Sequence, residues 1–210
     1  MMKVYLIPPG ATELSSAGEL LGLNNPPLSL EGVNHAERIS DELKSLVLEA
    51  IICGPMKRHM VTAKIIGSAH NMPIRTEKNL RDLNYGRWSG KNLDSLLQAE
   101  PKLMAKLRSS PGKFKFPAGE KVKRGWRRVR EFTYQFRMNF GVGNIVLVAD
   151  DFVAMIVASQ LMRVGFSELE PWKPSGGRMT VVSMENEKWR VEMLRGSELS
   201  SPLTSSSRRA

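Results

Sequence analysis

Three short segments place chemically capable side chains directly after apolar runs. Asp150 and Asp151 follow the run at 145–148, Arg58 comes soon after Ile51-Ile52-Cys53, and Asp82 follows Leu80-Arg81. Paired carboxylates at a strand end suit divalent-metal coordination by oxygen or general base chemistry. A nearby guanidinium suits a structural outcome instead: Asp150 neutralises Arg58, or one acid caps the helix that starts near Phe152. Asp82 can join the same cluster as a salt-bridged plug. His35, His59 and His70 are candidate nucleophiles, but each is expected to be an ordinary surface or partly buried histidine. His59 adjoins Arg58, yet successive helical residues point about 100° apart. Cys53 lies within an apolar run and reads as a small core residue.

Charge makes a second candidate. The net charge is +10, and between residues 102 and 130 eleven Lys and Arg face one acid, Glu120. That excess equals the whole chain's, so an electrostatic partner is expected to meet the protein there. Lys113, Lys115, Lys121, Lys123 and Arg124 are the candidate contacts for an anionic ligand or protein; nucleic acid is a further alternative. Phe114, Phe116 and Trp126 are interleaved with them.

The elements that must position these residues follow from periodicity. Short Val/Ile/Leu runs alternate with helical patterns, which predicts an α/β fold: a three-layer α/β/α sandwich around a mostly parallel sheet. Strands are expected at 4–7, 50–53, 144–148, 179–184 and 189–194, the last two joined by the polar turn 185–188. Helices are expected from Ser29 as N-cap, from 55 to 69, from Asn92 as N-cap to 100, from 120 to 140, and from 152 to 163. Residues 1–195 read as one domain and the Ser-rich 196–210 as a disordered tail. The length suits a single well-cored domain. No apolar run is long enough to cross a bilayer, and a cytoplasmic location is expected. One cysteine excludes an internal disulfide and a cysteine-based zinc cluster.

Four motifs in order carry a family resemblance. Leu28-Ser29-Leu30-Glu31-Gly32 with Ala36, Pro55-Met56-Lys57-Arg58 with Thr62-Ala63, the stretch from Leu80-Arg81-Asp82 to Gly86-Arg87-Trp88-Ser89-Gly90, and Pro117-Ala118-Gly119-Glu120 together resemble the histidine phosphatase (phosphoglycerate mutase-like) superfamily. The resemblance implies that fold, and an Arg-His-Gly after the first strand whose histidine is phosphorylated. Here those positions hold Pro8-Pro9-Gly10, with Ala11 for the following Glu and Thr12 kept. Proline offers no nucleophile and no N–H for a phosphate oxygen. A second histidine is implied where Asp150 stands, and an acid/base Glu where Asp82 stands. Arg58 and Thr12 are the expected remnants of the pocket. Phosphoryl transfer needs cations around the equatorial oxygens. The resemblance therefore implies a degenerate member: a pseudoenzyme serving as a binding or regulatory module, with no cofactor. The alternatives are metal- or carboxylate-based chemistry at Asp82, Asp150 and Asp151, or nucleic-acid binding through the basic segment, which corresponds to the cover of the active-site mouth in relatives.

Overall fold

The structure, a computed structural model, describes residues 1–165, 178–194 and 197–204. Along the chain run β1 (Met2–Ile7), α1 (Glu13–Ser16), α2 (Leu30–Leu43), β2 (Leu48–Cys53), α3 (Lys57–Ala69) and β3 (Ile74–Thr76). These are followed by α4 (Leu93–Ala99), α5 (Pro101–Ser109), α6 (Val122–Asn139), β4 (Gly143–Val148), α7 (Asp151–Leu161), β5 (Thr180–Glu185), β6 (Lys188–Leu194) and β7 (Ser197–Thr204). The strands form one sheet in the order β3-β2-β4-β1-β5-β6-β7. β1 to β4 are mutually parallel, and β5 onward pair antiparallel with their neighbours.

Alternation along each parallel strand explains the three layers. Tyr5, Ile7, Ile51, Cys53, Val146 and Val148 pack with Ile39 and Leu43 of α2 and with Ala63 and Ile66 of α3. The intervening Val4, Leu6, Ile52, Ile145 and Leu147 pack with α6 and α7 on the opposite face. A central strand buried on both faces has to read as an unbroken apolar run, as β4 does. Each such side chain contributes roughly 1.5–3 kcal/mol by leaving water.

Capping follows the expected chemistry at two helices. The Ser29 hydroxyl accepts from the Gly32 N–H at α2, and Asn92 accepts from the Asp94 and Ser95 N–H groups at α4. The 185–188 turn is a tight hairpin: Glu185 pairs with Lys188, and Asn186 and Glu187 carry the positive φ of its two-residue loop.

Two expectations need correcting. The 120–140 pattern forms a helix at 122–139, but α5 before it was not anticipated. Pro101 stands in its first turn, where proline is well tolerated. In the tail, 197–204 pairs along the sheet edge against β6. An open edge needs only backbone partners, which Ser-rich composition does not deny it. The remainder of that tail, 196 and 205–210, lies outside the described residues.

Candidate functional site

Register brings the three chemical segments together. Ile7 and Cys53 both pair with Val148, one from each side. Pro8, Gly54 and Ala149 therefore leave the sheet side by side, where helix N-termini gather. Two backbone bonds extend the ladder past the strand ends: the Ala149 N–H donates to the Ile7 carbonyl at 3.1 Å, and the Gly54 N–H to the Val148 carbonyl at 3.0 Å.

The Pro8-Pro9-Gly10 loop is held without regard to chemistry. The Gly10 N–H donates to the Thr62 hydroxyl at 2.9 Å, and that hydroxyl donates to the Arg58 carbonyl at 2.8 Å. A Cβ on Gly10 would stand 2.3 Å from the Gly32 carbonyl oxygen, and one on Gly32 would stand 2.0 Å from the Ala11 carbonyl oxygen. Glycine is needed at both places for backbone to pass over backbone. Thr12 is buried, and its hydroxyl accepts from the Ser15 N–H as the N-cap of α1. It does not line either cleft described below, so its expected role in the pocket gives way to capping.

Arg58 is completely buried, and four hydrogen bonds hold its guanidinium. Its Nε and Nη2 donate to Asp150 Oδ1 and Oδ2, both at 2.8 Å, in a bidentate pair. Its Nη1 donates to the Asn24 carbonyl at 2.8 Å, and Nη2 also to the Gly22 carbonyl at 3.0 Å. Asp82 Oδ2 lies 3.5 Å from the same Nη2. Asp150 occupies the N-cap position of α7, but its side chain does not cap the helix; it turns to Arg58. The neutralising, salt-bridged arrangement is thus the one formed.

His59 was set aside as pointing elsewhere, and this is a correction. Its Nε2 lies 2.7 Å from Asp150 Oδ2, and the ring is fully buried. The 100° rotation between the two residues stands, but Arg58 is long and reaches around to the same carboxylate. Gly54 leaves the room for the ring: a Cβ there would come within 2.3 Å of His59 Nδ1.

Electrostatics follow from this packing. Burial and the nearby Asp150 push Asp82 up to about 8, against the opposing pull of Arg58. Asp82 Oδ1 accepts from the Leu83 N–H at 2.7 Å and from the Tyr85 hydroxyl at 3.2 Å. For Asp150, burial works upward, but the adjacent His59 and Arg58 outweigh it and hold the carboxyl well below the usual range. Asp150 is the carboxylate and Asp82 the protonated partner near neutral pH.

Two clefts adjoin this cluster. One, of about 270 Å³, is lined by Pro8, Pro9, Ser15, His35, Arg38 and Asp150 among others. Its wall from α2 was missed, although Glu31, His35 and Arg38 follow the i, i+4, i+7 spacing of one helix face. The second, of about 300 Å³, is lined by five acidic residues, Glu19, Asp82, Asp94, Asp150 and Asp151, and, among the described residues, by no Lys, Arg or His. Asp151 stands in the first turn of α7, where an acid suits the helix dipole. Among the described residues no group of three or more His, Cys, Asp and Glu is arranged to hold a metal ion.

None of the basic segment's cations lines either cleft. Lys113, Lys115, Lys121, Lys123 and Arg124 are exposed, whereas Phe114 and Phe116 are buried against Tyr85 and Trp88 at ring distances of 4.9–5.6 Å. The aromatics are therefore core. Glu120 is also buried; its Oε1 accepts from the Asn84 N–H at 2.8 Å and lies 3.5 Å from Arg128 Nη2.

Comparisons with known proteins agree with this architecture. The family profile described as histidine phosphatase superfamily (branch 1) matches residues 4–196. Phosphoserine phosphatase 1 of Hydrogenobacter thermophilus is 25% identical over 188 residues, covering 90% of this chain and 89% of that protein. A probable phosphoglycerate mutase, GpmB, of Photorhabdus laumondii is 29% identical over 155 residues, 74% of this chain and 72% of its own length. Among solved structures, mycobacterial glucosyl-3-phosphoglycerate phosphatase in complex with VO3 superposes with a TM-score of 0.84 at 18% identity, covering 93% of this chain and 99% of that one.

Proposed function

The chain belongs to the histidine phosphatase superfamily, branch 1, and from that premise we propose that it is a pseudoenzyme: a phosphatase fold kept as a binding or regulatory module. The bidentate Arg58–Asp150 pair carries this reading. Of the five N–H donors on the cation that would receive a phosphoryl oxygen, four are taken by the protein itself. Any phosphate approaching it must also face a carboxylate. At about 4 Å that opposition is worth roughly 1–4 kcal/mol, depending on screening. The nucleophile is lost independently, since Pro8 and Pro9 line the cleft with neither a nucleophilic side chain nor an N–H.

Asp82 favours a second reading, carboxyl-based hydrolysis, because a carboxylic acid held near neutral at a cleft wall suits general acid work. The hydroxyl beside it, that of Tyr85, is buried and donates to Asp82 Oδ1, and both Asp150 oxygens are already engaged by Arg58 and His59. The same engagement leaves Asp150 poorly placed for a metal. A module of this kind contacts its anionic partner through the basic segment.

A panel of phosphomonoesters, including phosphoserine and 3-phosphoglycerate, is the test. No turnover above background is expected, with or without a divalent metal. Turnover that Asp82→Asn or Arg58→Gln abolishes overturns the pseudoenzyme reading.

A further inference from the structure

Residues 113–124 form a small unit whose two sides have opposite character. Phe114, Phe116 and Val122 point into the core, each at most 1% exposed. Lys113, Lys115, Lys121 and Lys123 are all exposed, Lys115 and Lys121 by alternation along the bridged pair. Lys115 and Lys121 face each other across an antiparallel bridge. Its flanking bonds run from the Phe116 N–H to the Glu120 carbonyl and from the Val122 N–H to the Phe114 carbonyl. That makes Lys115 and Lys121 a non-hydrogen-bonded pair, the closer kind, with about 4.5 Å between Cα atoms. Like charges directly opposite each other in this way are destabilising.

The following helix adds a second misfit. α6 begins with Lys121 at its N-cap and Lys123 and Arg124 in its first turn, with no acid there and no capping side chain. Helix N-termini favour anions, so three cations at this end oppose the dipole. Around the unit the pattern continues: of the eleven Lys and Arg between 102 and 130, ten are exposed, and the single acid there, Glu120, is buried. Folding gains nothing from this arrangement. A bound polyanion relieves both misfits at once.

We infer that the 113–124 face, with α5 and the outer side of α6 beside it, docks the phosphodiester backbone of a nucleic acid. The inference rests on the basic segment, rather than the plugged pocket, being where the anionic partner meets this protein. The surface itself selects among polyanions. Among the described residues, no large hydrophobic side chain is exposed between 101 and 133; those that are exposed lie elsewhere, as Tyr134, Met138 and Val142 do. Protein partners are held chiefly by aromatic and apolar anchors, and membrane-surface segments insert apolar side chains between headgroups. Repeated charge with no anchor suits phosphates, which need nothing more. Recognition is therefore independent of base sequence.

Fluorescence anisotropy of a short labelled DNA duplex and an RNA of equal length tests this with the full chain. If about five phosphates are engaged, affinity falls about 500-fold between roughly 50 and 200 mM salt. Replacing Lys113, Lys115, Lys121 and Lys123 by Gln together with Arg124→Gln removes most of that slope and weakens binding at low salt by at least about 100-fold. The four Lys→Arg replacements keep the charge and leave binding intact. Absence of binding at low salt, insensitivity to salt, or an unchanged affinity in the neutralised variant overturns the inference. Tighter binding to polyglutamate or to phosphatidylserine vesicles than to either oligonucleotide overturns it as well. The pocket's standing is read separately: phosphomonoester turnover contradicts the pseudoenzyme reading and leaves this face untouched, and failure of oligonucleotide binding does the reverse.

Discussion

At the carboxyl ends of β1, β2 and β4 one buried guanidinium meets the half-buried Asp150 carboxylate, the buried Asp82 carboxyl and a buried histidine; on the outer side of 113–124 five exposed cations form no salt bridge among the described residues. Burial explains the difference. A charge taken out of water costs several kcal/mol unless matched, so the interior cluster is paired down to individual oxygens. A solvated charge costs little when unmatched, so folding places no demand on the surface set. Where the family implies a histidine opposite Arg58, Asp150 restores local neutrality by itself. On the proposed reading, that pairing takes the arginine away from phosphate. The surface cations answer to no such constraint, and their one-sidedness is what the proposed docking of a polyanion rests on.

The largest effect that tests this contrast comes from uncoupling the buried set. Arg58→Met leaves Asp150 without its bidentate partner in the interior, and urea denaturation is expected to show a loss of about 3–5 kcal/mol. Lys113→Met on the exposed face is expected to change stability by less than about 0.5 kcal/mol. Equal effects at the two positions would erase the distinction between the regions.

Proton linkage gives the next effect. Asp82 has its folded pKa raised to about 8 from 3.8, so its contribution to stability is complete in acid and is lost as pH rises through that window. Asp150 is shifted the other way; its contribution is present above the unfolded carboxylate range and is lost as pH falls. Asp82→Asn, uncharged throughout, removes the first dependence, which reaches about 1.4 kcal/mol per pH unit for one group. Urea midpoints measured from about pH 4 to 8 are expected to flatten in the variant. They should lie close to the parent's at the acid end and above it near pH 8. A slope unchanged by the substitution shows that Asp82 is not the titrating group.

These two regions were not equally legible beforehand. The parallel strands and the helices at Ser29 and Asn92 were visible because period and capping are local properties. The Arg58–Asp150 pair was foreseeable because a strand-end carboxylate and a helical arginine meet wherever β2 and β4 are neighbours. His59 was not, because its direction depends on the space that Gly54 leaves. The α2 wall of the first cleft was overlooked, although the spacing of Glu31, His35 and Arg38 shows it. The 102–130 segment was legible as charge but not as position. Nothing local says that Phe114 and Phe116 fold inward onto Trp88, and that contact is what leaves the lysines beside them on the outside.

A third effect asks whether the plug is what stops phosphate. Asp150→Ser removes the carboxylate and leaves Arg58 facing the cleft. Inorganic phosphate at about 100 times its dissociation constant then stabilises the variant by roughly 2.7 kcal/mol, read as a rise in melting temperature, and leaves the parent unmoved. If phosphate stabilises neither protein, the pocket is closed by more than Asp150, and Pro8-Pro9 becomes the deciding loss.

The smallest effect is the most specific to the surface. Lys121→Glu turns a like-charged cross-strand pair with Lys115 into an opposite one, a change worth about 0.2–1 kcal/mol. It also puts an acid at the positive end of α6, adding roughly 0.3–1 kcal/mol. The variant is therefore expected to be more stable than the parent in urea and to bind an oligonucleotide more weakly, with a salt slope lower by about one phosphate or more. Opposite signs for stability and binding are what a face kept basic for a partner requires. A variant that is stabilised with no loss of binding would instead leave the lysine pair a surface accident.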